Sequence, residues 1–364
     1  MQSRKAFALC IIVFGIFSIG FRVSNSSIEE AVNMYLYDSL FFVSDAVNGI
    51  HVYSVADPAN PRHALTIPIL NNSGVAVRNN VIYANSGQSL VALKLHDDTL
   101  YDVVATLHSA YQYGADDFFY DGAQVNGWGC LGCEDASPIS SSDAGAAQST
   151  GVGGSYAIFS VIDTFLYYID GQNIITLTIA DAENPYELSQ TYINWDIETL
   201  FPTREYLFIG AQTGMYILDR GNPSAPSVIG TFSHARACDP VVVQDSIAYV
   251  TLRTGTRCGG TQNELLFVDI ANPENPTLIK QLNITTPYGL TVRDSLLYVG
   301  NGQSGFTLYN VAQPSAPRQV QKWSTIPTKD FIWYGDTLFI MGFTDFRIYA
   351  VSEPSVPLLV STIE

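Results

Sequence analysis

Two groups of residues in this chain have types and spacing suited to chemistry. The first is spread over four short polar segments: Asn194-Trp-Asp-Ile-Glu198, Ser233-His-Ala-Arg-Ala-Cys-Asp239, Thr285-Thr-Pro-Tyr288 and Ile326-Pro-Thr-Lys-Asp330. Their Trp195, Asp196, His234, Arg236, Asp239, Tyr288 and Asp330 offer acids, cations and stacking surfaces. Brought together, such residues bind a ligand, and the carboxylates could hold a divalent cation such as calcium through oxygen. The second group is four cysteines, Cys130, Cys133, Cys238 and Cys258. No nucleophile-and-base order, phosphate-cradling glycine loop or paired-histidine metal motif accompanies them. With five histidines in 364 residues, a His-rich metal centre is not expected.

The cysteines read as structural. With Cys10, the fifth cysteine, removed in the leader, an even number remains, which in an exported chain points to disulfides. A Cys238–Cys258 bridge would stabilise by about 3 kcal/mol on the chain-entropy account. Cys130-Leu-Gly-Cys133 can pair internally. The alternatives are a redox pair or half a zinc site, but a redox Cys-x-x-Cys normally opens a helix. This pair lies in a Gly- and Trp-rich stretch with no histidine after His108. The surrounding insertion, residues 111–155, starts with aromatics beside Asp116, Asp117 and Asp121, whose spacing is not that of a calcium loop. It then turns Ser-, Gly- and Ala-rich over residues 137–155 and reads as a loose loop over one face.

The elements that must position these residues come from a repeat. An acidic or amide turn residue recurs at Asp38, Asn79, Asp163, Glu205, Asp245, Asp294 and Asp336. The interval is about 40–50 residues, doubled once where the insertion falls, which is the length of a four-stranded blade. Apolar runs follow each turn, among them Leu40-Phe-Phe-Val43, Leu207-Phe-Ile209 and Leu338-Phe-Ile-Met341. Their β-branched and aromatic content suits strands packed between neighbouring sheets. A third strand such as Gly49–Val55 or Leu265–Ile270 then leads into a proline turn, where 11 of the 17 prolines sit. Proline fixes φ and removes a donor, so it shapes that turn and blunts the outer strand after it. The second copy lacks the doublet and has His96-Asp-Asp-Thr99 instead. Seven copies predict an all-β, seven-bladed β-propeller of four-stranded antiparallel blades. The four polar segments become the loops that lead into innermost strands.

The run Leu265-Leu-Phe-Val-Asp-Ile-Ala-Asn-Pro-Glu-Asn-Pro276 resembles the LVIVD repeat of bacterial and archaeal surface proteins, as do Ile50–Pro61 and Ile174–Pro185. Gly153-Gly-Ser-Tyr156, Cys238-Asp-Pro-Val241 and Cys258-Gly-Gly260 resemble exported members from Bacteroidetes-like bacteria. The resemblance implies a propeller over residues 31–364 and brings no catalytic residues with it.

Composition narrows the partners. Acids outnumber bases 34 to 17, giving a net charge of −17. That excludes nucleic acid, whose phosphates need a basic surface. Met1-Gln-Ser-Arg-Lys5 precedes an apolar run, Ala6 to Phe21, too short for a comfortable span. It reads as a secretory signal over residues 1–20, the alternative being an uncleaved anchor. Residues 21–30 are a linker, and no membrane span remains after signal removal. The expected function is a non-catalytic binding or scaffold module for protein or glycan at the surface or in the periplasm of a bacterium. The alternative is a metal-assisted hydrolase or lyase with an acidic site at the mouth of the central channel.

Overall fold

The computed structural model describes residues 27–69, 71–87, 89–97, 100–108, 151–237, 240–254, 260, 262–353 and 356–363. The proposed signal, most of the 111–155 insertion and all of Cys130, Cys133, Cys238, Asp239 and Cys258 lie outside the described residues.

Seven antiparallel sheets, each built from four consecutive strands, form a seven-bladed β-propeller. The blades cover residues 31–67, 75–108, 159–192, 197–233, 241–283, 290–323 and 330–363. The first strands of neighbouring blades touch one another in a closed ring, so they line the axis and the fourth strands form the rim. All seven runs expected as second strands occupy that place, from Leu40–Asp45 in blade 1 to Thr337–Met341 in blade 7. They are buried on both sides, and Phe41, Phe208 and Leu338 are inaccessible to solvent. The apolar clusters lie between blades: one joins blades 1 to 3 and another joins blades 7 and 1.

The turn acids have a conformational role. Asp38, Asn79, Asp163, Asp245 and Asp294 adopt φ of 50–56° between first and second strands. Asn and Asp tolerate this left-handed region better than other residues with a side chain. In blade 7 the neighbouring Gly335 takes it, at φ 55°.

The proline turns link one blade to the next. Asp57 shows their design: its carboxylate accepts the Ala59 N–H at 3.1 Å, and its carbonyl accepts the Asn60 N–H at 3.0 Å. The turn's carbonyls then accept hydroxyl hydrogen bonds from the outer strand of the preceding blade. Ser189 and Thr191 donate to Ser224 and Pro226 at 2.7 and 2.9 Å, and Ser361 donates to Pro58 at 2.6 Å. Every blade also carries a register shift between its third and fourth strands, for instance at Val52/Tyr53 and Phe267/Val268. Such bulges twist an edge strand away from foreign pairing.

Among the described residues, no strand is exchanged between the first and last blades to close the ring. Blade 7 meets blade 1 through side chains, with Phe41 stacked on Phe339 at 5.2 Å and edge-on to Phe346 at 5.4 Å. One addition breaks the sevenfold pattern. Val152–Gly153 pairs antiparallel with Tyr35 and Leu36, giving blade 1 a fifth strand on its axial edge.

Candidate functional site

That extra strand opens a segment, residues 151–157, that crosses the axis. Gly154 donates to the Met34 carbonyl at 3.3 Å, and Asn33 Nδ2 donates to the Tyr156 carbonyl at 2.9 Å, both in blade 1. Ser155 Oγ donates to Asp330 Oδ1 of blade 7 at 2.6 Å and accepts the Leu290 N–H of blade 6 at 3.0 Å. The Ala157 carbonyl accepts the Leu200 N–H of blade 4 at 2.7 Å. Five blades, counting the third that it enters, therefore hold this stretch. Its small residues let it in: a Cβ on Gly154 would come within 2.2 Å of Asp330 Oδ2. Residues 151–155, expected as the tail of a loose loop, instead cross the axis through the short strand Val152–Gly153, with Gly154 and Ser155 buried. A run of Gly and Ser carries no apolar alternation, so its order comes from partners far along the chain.

Asp330 is the anchor. Wholly buried, it also accepts the backbone N–H groups of Ser155 and Tyr156, each at 3.2 Å. Burial pushes its carboxyl up to about 6; the hydrogen bonds from Ser155, Phe331 and Tyr156 pull the other way and only partly offset desolvation.

The other expected residues fall in two patches on the same face, where the loops entering first strands and those joining second to third strands emerge. Trp195 is 55% exposed, and the Arg236 guanidinium lies 5.3 Å over its ring. Arg236 donates to Gln212 Oε1 at 3.0 Å, and Gln212 Nε2 donates to Glu198 at 3.0 Å. Asp196 is buried beneath them, taking the Thr213 hydroxyl on Oδ2 at 2.6 Å, while Oδ1 has no partner among the described residues. His234 donates from Nδ1 to the Ala235 carbonyl at 2.8 Å, and burial lowers its pKa.

The second patch holds Tyr288. Arg253 stacks over its ring at 3.8 Å, Phe343 meets it edge-on at 5.8 Å, and the Lys329 ammonium lies 5.1 Å from the Phe343 ring. Lys329 also donates to the Ala31 carbonyl at 3.0 Å, and burial depresses its pKa, with Arg253 adding to the effect. Tyr156 sits between the patches. Burial raises its hydroxyl's pKa well above the ordinary value, and Arg253, Asp330 and Glu198 all act on it electrostatically. Sequence reasoning missed Arg253, Phe343, Gln212 and Tyr156. Arg253 directly follows the second strand of blade 5, Ile247–Leu252. A cleft of about 340 Å³ opens beside the first patch, lined by Ser73, Asn85, Ile158, Tyr168, Asp170 and Glu198.

Blade 1 holds a buried polar relay that spacing did not reveal. Asp45 takes His51 Nε2 at 3.2 Å; His51 Nδ1 meets Thr66 Oγ1 at 3.2 Å, and Thr66 meets His63 Nε2 at 2.9 Å. Asp45 and His51 are shut from solvent, and Asp45 also ties down the Glu29 and Val47 N–H groups at 2.8 and 2.9 Å. The relay shapes the second-to-third-strand turn of blade 1. Among the described residues, no three His, Cys, Asp or Glu side chains come close enough to hold a metal ion, and no helix is long and apolar enough to cross a membrane.

The comparisons fit this frame. The LVIVD repeat model matches residues 204–233 and 259–284, which fall in blades 4 and 5. Two of the seven blades thus match the LVIVD repeat. No curated protein matches the chain. Among solved structures, the propeller superposes on a protein from Lactobacillus plantarum with TM-score 0.61, 10% identity and coverage of 92% of this chain and 96% of that one. A functionally unknown protein from Desulfotomaculum acetoxidans gives TM-score 0.56, 14% identity and coverage of 91% and 95%. A chain of the mitotic checkpoint complex gives TM-score 0.59, 10% identity and coverage of 97% and 100%. At these identities the likeness is one of fold.

Proposed function

We propose that this LVIVD-repeat propeller is an exported, non-catalytic binding module that takes a protein or glycan partner on its loop face at the cell surface. The observation that carries this reading is the crossing segment. Residues 151–157 occupy the axis where an acid-lined propeller would assemble a metal, and the acid best placed to serve there, Asp330, spends its oxygens on Ser155 and Tyr156. What faces outward instead is aromatic and cationic, with Trp195 more than half exposed under Arg236. Aromatic and Arg side chains on a rigid scaffold are typical binding anchors. The chain of similar fold in the mitotic checkpoint complex is itself part of an assembly. Export rests on the positive start and apolar run of residues 1–21.

A panel of immobilised glycans and surface proteins, probed with the mature chain, tests the reading. Binding lost in Trp195→Ala and kept in Asp245→Asn, on the opposite face, is expected. Equal loss in both variants, or chemical conversion of a bound glycan, would overturn it. N-terminal sequencing of the exported protein should start at Phe21.

A further inference from the structure

We propose that Arg253, Tyr288, Lys329 and Phe343, with Arg236 on Trp195 across the crossing segment, form a carboxylate subsite, and that the partner is an acidic saccharide of the uronate kind. This rests on the loop-face reading above and names its ligand class. On a molecule of net charge −17, three cations stand at one mouth; among the described residues none of the three forms an ion pair, and Glu30 acts on Lys329 only through space. Arg253 Nε is shut from solvent and has no acceptor among the described residues. That nitrogen is closed to a ligand as well, so an incoming carboxylate meets the terminal nitrogens of the fork, which donate to no described residue. Its stacking on Tyr288 at 3.8 Å fixes the direction of the fork. Lys329 has one described acceptor, the Ala31 carbonyl, for three donors. Partial burial makes charge pairing there stronger than in open water. Tyr156 stays a neutral phenol beside them and adds no competing negative charge.

A flat ligand face is what favours a saccharide over an acidic peptide. Trp195 leaves 55% of its surface open, and the adjacent cleft of about 340 Å³ has room for a neutral sugar ring, its Asp170 and Glu198 leaving the carboxylate end to the cationic patch.

Titration calorimetry on the full chain decides, with three probes: a galacturonate trisaccharide, its methyl ester, and a hexaglutamate peptide. The trisaccharide should bind, esterification should weaken it about tenfold or more, and about 0.5 M salt should weaken it further. Arg253→Gln should lose about tenfold with little change in melting temperature, while Arg253→Lys falls between. Should Arg253→Gln fold poorly, Lys329→Met carries the same comparison. Equal binding of the ester would overturn the carboxylate subsite while leaving the loop-face reading intact. Binding of the peptide but not the trisaccharide would reassign the partner to an acidic protein. Silence from all three probes would sink the inference, and the glycan and protein panel would then judge the loop-face reading by itself.

Discussion

The two ends of the propeller axis are built from the same repeat and have opposite character. At the hairpin end, Asp38, Asp163, Glu205, Asp245, Asp294 and Asp336 stand exposed, one per blade, with Asn79 in the remaining one. Most of them are there because a tight turn needs φ near 55°. At the loop end each blade differs: Trp195 and Arg236 serve blades 4 and 5, Tyr288 and Lys329 serve blades 6 and 7, and residues 151–157 run between. The difference teaches where the repeat is free to vary. Local backbone geometry dictates the hairpin residues, whereas the loop residues are chosen by what they meet across the axis.

The sharpest way to break that contrast is to crowd the axis. Gly154→Ala puts a Cβ 2.2 Å from Asp330 Oδ2 and 3.2 Å from Met34 Cε. It should cost about 3 kcal/mol or more in urea denaturation; a cost under about 1 would mean that the segment is not packed there. Next comes pH. Asp330 is raised from 3.8 to about 6, so between those values the native state binds more protons than the unfolded chain. Stability from this group therefore rises as pH falls from 7 to 4, by roughly 3 kcal/mol. His51, His63 and His234, held below 6.5 by burial, act in the opposite sense, because the unfolded chain takes up protons first. Asp330→Asn should remove the acid gain and leave only the histidine loss, read as urea midpoints at pH 7, 5.5 and 4.

The hairpin end should respond more mildly. Gly335→Ala meets nothing within 4 Å, so only its φ of 55° resists, at about 1 kcal/mol. Asp163→Gly, relieving φ 56° in a side-chain-bearing residue, should be neutral or slightly stabilising. Smallest of all, Trp195→Ala should change stability by less than about 0.5 kcal/mol while removing binding. A large stability loss there would make Trp195 structural and merge the two ends into one kind of surface.

The same contrast explains how much could be read from the chain. Turn acids, apolar second strands and proline doublets are local rules repeated seven times, so the blades were legible down to strands such as Leu296–Gly300. Trp195, Arg236, Tyr288 and Asp330 were legible as loop residues at one end of the axis. That Asp330 faces inward was not, because its partners Ser155 and Tyr156 lie 175 and 174 positions away, and the resemblance carried by Gly153–Tyr156 says nothing of what they meet. Arg253 escaped for a similar reason: its importance comes from Tyr288, a residue of the next blade.

The crossing segment also sets the order in which the molecule can assemble. It is synthesised between blades 2 and 3, yet Ser155 and Tyr156 find their carboxylate only when blade 7 exists. Blades can zip up one after another on short-range contacts, but this knot of hydrogen bonds must wait for closure of a loop of some 175 residues. Contacts that distant slow the final step of folding. Until the last blade arrives, the nascent chain holds an unfilled axis, so the ring and its centre become native together.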